Sequence, residues 1–154
     1  MEWVQSLKFE DTISLSGMIF AGGAQTAVEN AVKSAVAAAG YTAGNLSVTV
    51  SGSTAKISFT VDSKNTNAEM SAVKLHMALP LNSSTVKMNG TADGKVTNSL
   101  TVSGKPYGDD ASYSTIGGNS VELKISAPQG PKFHLSKTVE NEKAYYVQGD
   151  KVEF

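Results

Sequence analysis

Apolar and polar positions alternate with a period of two along most of the chain, and one stretch breaks that rhythm. Near the start Trp3, Leu7 and Phe9 alternate with polar neighbours. Asp11-Thr12 reads as a turn, and Ile13, Leu15 and Ile19 resume the alternation. Residues 1–20 are therefore expected to form two strands, ended by Gly22-Gly23.

The break in the rhythm predicts one helix over about residues 26–39. Val28, Val32 and Val36 recur every fourth residue, flanked by Ala31, Ala35 and Ala39, which gives a stripe of small apolar side chains suited to close packing on a sheet. Thr26 and Glu29 have the spacing of a capping box. Glu29 and Lys33 stand i,i+4 in the favourable order. Gly40 is placed for a left-handed C-terminal residue, after which Tyr41 can fold back on Val36.

From Asn45 the period returns to two. Leu46, Val48 and Val50 match Ile57, Phe59 and Val61 across a Ser51-Gly52-Ser53-Thr54 turn. Further runs are Val73, Leu75, Met77 and Leu79, closed by Pro80, and then Val86 and Met88 before Asn89-Gly90. Asp93-Gly94 reads as a turn leading into Val96, Leu100 and Val102. Val121, Leu123 and Ile125 follow, then Phe133 and Leu135, and last Tyr145, Val147, Val152 and Phe154 around Gly149-Asp150. Short strands with Gly/Asn/Asp turns and a single helix predict one mainly-β (α+β) domain over residues 1–154. The expected architecture is an antiparallel sandwich or barrel with the helix packed on it. Residues 104–119 have no periodicity and are rich in Gly, Ser, Asp and Tyr, so they are expected to be a long loop.

Composition narrows the functional classes. There is no cysteine, which removes disulfides, thiolate nucleophiles and Cys-ligated metals. The formal charge is −1, and all 13 basic residues are lysine. Without arginine the chain lacks the planar fork that most often reads phosphates and guanine edges, so no nucleic-acid partner is expected. Charged residues are only 18% of the chain, and Ser and Thr do much of the solvating. That surface chemistry favours a virion, extracellular or cell-surface setting. No run of 18 apolar residues exists, and no membrane insertion is expected.

Motifs that carry chemistry are sparse. Ser71/Lys74 and Ser84/Lys87 match Ser-x-x-Lys, but the companion elements of that chemistry are missing, and neither match falls at a predicted helix start. His76 and His134 each lie on the polar phase of a predicted strand. Gly22-Gly23 precedes the helix without the Gly-Lys-Ser/Thr that a phosphate loop requires. No catalytic residue, cofactor or metal is assigned. The best ligand or partner contacts are Tyr107, Asp109, Asp110 and Tyr113, since paired carboxylates and tyrosines on a loop suit protein or glycan contacts.

Three functions are therefore expected, in this order. The first is a non-enzymatic structural subunit that self-assembles, as a virion, tail or filament component. In it the strands of residues 1–20 would pair with a neighbouring subunit through Trp3, Leu7 and Phe9, making a homo-oligomer. The second is a secreted or cell-surface binding module using the 104–119 loop. The third is an enzyme without a recognisable motif.

Overall fold

The computed structural model describes residues 4–63, 76–79, 81–108 and 111–126. Val4–Ser16 form one uninterrupted 13-residue strand, β1. Leu7, Phe9, Ile13 and Leu15 all face the core from it. The turn expected at Asp11-Thr12 does not form, and the reason lies on both sides of the strand. Asp11 is held opposite Ile57 on one neighbour and Leu100 on the other. A turn there would forfeit main-chain hydrogen bonds on two edges at once. The true corner is Gly17, whose φ of +69° suits glycine. A Cβ there would also come within 2.6 Å of the Asp93 carbonyl oxygen. Beyond it the short strand β2, Met18–Phe20, buries Met18 and turns Ile19 outward.

Helix α1 spans Ala24–Ala38 and buries Ala24, Val28, Val32, Ala35 and Val36, the predicted stripe. It begins two residues earlier than expected, with Gly23 as N-cap and no capping side chain. That shift carries Thr26 into the first turn, so the Thr26–Glu29 capping box is not made. Glu29 instead accepts a hydrogen bond from Gln25 at 3.3 Å. The C-terminus closes as predicted. Gly40 is left-handed (φ +81°), its N–H bonds to the Ala37 carbonyl at 2.8 Å, and the Tyr41 N–H bonds to that of Val36 at 3.0 Å.

The remaining strands are β3 (Gly44–Ser51), β4 (Thr54–Asp62), β5 (Val86–Met88), β6 (Asp93–Pro106) and β7 (Ser114–Ser126). The β3–β4 hairpin turns at Gly52-Ser53 as predicted, and its register sets Val48 opposite Ile57 and Val50 opposite Ala55. Asp93-Gly94 opens β6 and is not a turn, because it pairs with Ser126 and Ile125 on β7, and Met18 fills the space where a Cβ on Gly94 would lie, 2.6 Å from its Cγ. His76 to Leu79 form no strand, and His76 is exposed. Val73, Leu75 and the strands expected beyond residue 126 lie outside the described residues.

Five strands make one antiparallel sheet in the order β3-β4-β1-β6-β7, while β2 and β5 pair as a separate ribbon. The valines of α1 join Phe9, Ile13, Ile57, Phe59 and Val61 in one core, and Met18 and Val86 bring the ribbon onto the same face. Phe9 stacks on Phe59 with ring centroids 4.9 Å apart. The other sheet face carries residues such as Lys8, Glu10, Thr12, Lys56, Ser58 and Thr101. The chain is thus mainly β with a single helix packed on an antiparallel sheet, as its periodicity predicts. Among the described residues no helix is long and apolar enough to cross a membrane.

Candidate functional site

The N-terminal strand pair expected to reach a neighbouring subunit is the centre of this chain's own sheet. Every residue from Ser6 to Ser14 has a partner on β4 and another on β6. Leu7 and Phe9, expected as assembly contacts, are 7% and 8% exposed. They are core residues, and β1 has no edge to offer. Trp3 lies outside the described residues.

The loop expected over residues 104–119 is also corrected. β6 runs on to Pro106 and β7 begins at Ser114, so most of that stretch is strand. Both strands pair along their lengths, with one extra residue, Ile116, between the Val102–Gly117 and Ser103–Thr115 pairs. The hydroxyl-rich segment lacks a buried alternation because β7 has one strand neighbour among the described residues and is exposed on both faces there.

What remains of the loop brings two of its predicted residues together. Tyr107 and Tyr113 line a cavity of about 270 Å³ with Gln5, Ser6, Asp62, Ser63 and Lys105. The hydroxyls of Tyr113 and Ser6 lie 2.9 Å apart, and the Ser6 hydroxyl also donates to the Val61 carbonyl at 3.5 Å. The end of the sheet thus fixes the phenol. Asp109 and Asp110 lie outside the described residues.

Of strand β7 the sequence predicts only the half over residues 121–125, and neither its start at Ser114 nor its place at the border of the described sheet. The strand is 13 residues long, and among the described residues it pairs only with β6, leaving its other side open. Three of its four large apolar side chains are out in solvent, Ile116 at 59% exposed, Val121 at 53% and Leu123 at 59%, while Ile125 packs against the core. The pairing places Val121 and Leu123 on the face that carries the core, opposite Asn98 and Val96, and Glu122 and Lys124 on the other face. Lys124 stands directly opposite Lys95, and Lys95 makes its ion pair with Glu122 at 2.9 Å. The only signal in the sequence was the Val121, Leu123, Ile125 alternation, which looks the same for a buried strand and an exposed one.

One titratable group is buried among the described residues. Asp11, 3% exposed, faces inward from the middle of β1. Burial raises its carboxyl above the ordinary value of 3.8, against the opposing effect of hydrogen bonds from the Asn98 side chain and the Thr12 backbone. The Ser84/Lys87 match lies in a turn and on β5, and no group of three or more metal-capable side chains occurs among the described residues. The other match, Ser71/Lys74, and His134 fall outside them. The chain matches no protein-family model, no curated protein and no solved structure.

Proposed function

We propose that this chain is a non-enzymatic structural subunit that self-assembles by joining sheet edges, as a component of a virion, tail or filament. One observation carries the reading: among the described residues β7 is a long edge strand with exposed Ile116, Val121 and Leu123. Unpaired main-chain N–H and C=O groups along such an edge accept any strand of suitable length. Proteins that stay apart therefore blunt their edges with short strands, proline or inward charges. Here the strand is long and proline-free, Val121, Leu123 and Ile125 share one face, and its one irregularity is at Ile116.

Size-exclusion chromatography with light scattering on the full chain tests the proposal. Self-association that rises with concentration is expected. It should be abolished by Val121→Lys together with Leu123→Lys, with the fold intact because both sites are solvent-exposed. A wild-type chain that stays monomeric at high concentration overturns the proposal.

The Tyr107/Tyr113 cavity supports a second reading, a binding module for a protein or glycan segment. Its phenols, the Lys105 ammonium and the Asp62 carboxylate offer stacking and polar contacts in one place. At about 270 Å³ it lies just below the usual range for small-molecule sites of roughly 300–1,000 Å³. That ranks it behind the sheet edge.

A further inference from the structure

We infer that β7 pairs with β7 of a second copy, antiparallel across a two-fold axis at Leu123, so that Glu122 of each chain meets Lys124 of the other. The inference rests on edge assembly through β7 and adds the partner and the register.

Charge selects this register. Within one chain Lys124 lies opposite Lys95, a like-charge pair that disfavours the ladder, and the Glu122 carboxylate already serves Lys95. Lys124 therefore has no ion pair among the described residues. A two-fold axis at Leu123 sets Glu122 opposite Lys124 twice, and each lysine gains a carboxylate on its open side. The same register places Leu123 against its own copy and Val121 against Ile125, all on the face that carries the core. Exposed apolar groups then cover one another on one face while opposite charges meet on the other. Sliding one strand by two residues would move the axis to Glu122, setting Glu122 against its own copy and Lys124 opposite Ser120. It would leave Lys124 without a carboxylate.

A symmetric interface is self-complementary, so one strand must supply both halves of every pair. Residues 120–126 do so: Ser120 meets Ser126, Val121 meets Ile125, and Glu122 meets Lys124.

The absence of cysteine allows a direct test. Side chains directly opposite on antiparallel strands have Cβ atoms about 4.5–5.5 Å apart, a small shift from disulfide geometry. Leu123→Cys should give a covalent dimer as the main product on mild oxidation. Val121→Cys should not, because the two copies of that position would lie four residues apart, roughly 13 Å. Glu122→Lys and Lys124→Glu should each lose the dimer, and an equimolar mixture of the two should regain it as a heterodimer. Circular dichroism matching the parent shows that each variant is folded.

Dimers that form without bridging at Leu123→Cys, and a mixture no better than either charge variant alone, would overturn the register while leaving edge assembly standing. A monomeric wild-type chain, as when residues 127–154 cover the edge themselves, would overturn both.

Discussion

The Asn98 side chain donates a hydrogen bond to the buried carboxylate of Asp11, yet Oδ1 of each residue has no partner. Two acceptor oxygens are thus left unsatisfied inside the sheet, which is costly for a charged group and less so for a neutral one. The folded chain holds the Asp11 proton more tightly than the unfolded chain does, because burial raises its pKa. Stability from this group is therefore greatest below the unfolded value of 3.8 and falls as pH rises through the folded value.

It follows that Asp11→Asn should stabilise the protein at neutral pH, on the order of 1 kcal/mol for removing a poorly satisfied buried acceptor. The gain should shrink toward zero as pH falls to the acid range. Chemical denaturation at several pH values checks this. A variant less stable than the parent at pH 7 would show that the carboxylate is needed in its charged form.

Helix docking predicts a sharp contrast between neighbours. Val32 is fully buried and Lys33 is exposed. Val32→Asp places an unpaired charge in the core and should cost several kcal/mol, roughly 3 or more, whereas Lys33→Asp should cost well under about 1 kcal/mol. Equal melting temperatures would mean that α1 does not pack through the valine stripe.

Deleting residues 1–12 removes most of β1, the strand between β4 and β6. The expected result is loss of the fold, seen as a collapsed far-ultraviolet β signal and no cooperative melting. A truncated chain that still melts cooperatively would show that the central strand is replaceable.

Elements whose stability is local or one-sided were legible in the sequence. The helix stripe, its Gly40 terminus and the Gly52-Ser53 hairpin each depend on residues close together, and each is found where it was read. Asp11-Thr12 was misread because turn propensity is a local quantity, and pairing on two sides overrules it at a central strand. The opposite error arose over residues 104–119. An exposed edge strand needs no buried side of its own, so Gly117, Gly118 and Asn119 fit it without leaving an alternation to detect. The expected assembly contacts fell on a central strand for the same reason: alternation identifies strands but does not say which one lies at the border.

The central position of β1 also constrains how the chain is made. Its two neighbours, β4 and β6, come later, and Val4 meets its partner Pro106 only after everything between has been synthesised. At about 5–20 residues per second the wait on the ribosome lasts roughly 5–20 s. Leu7, Phe9 and Ile13 lack both flanking strands until β4 is made and one of them until β6 is made. Such distant pairing slows folding, because loop closure precedes the contacts that reward it. The segment before Gly17 is therefore made first but completed only when the last of its strand partners has been made.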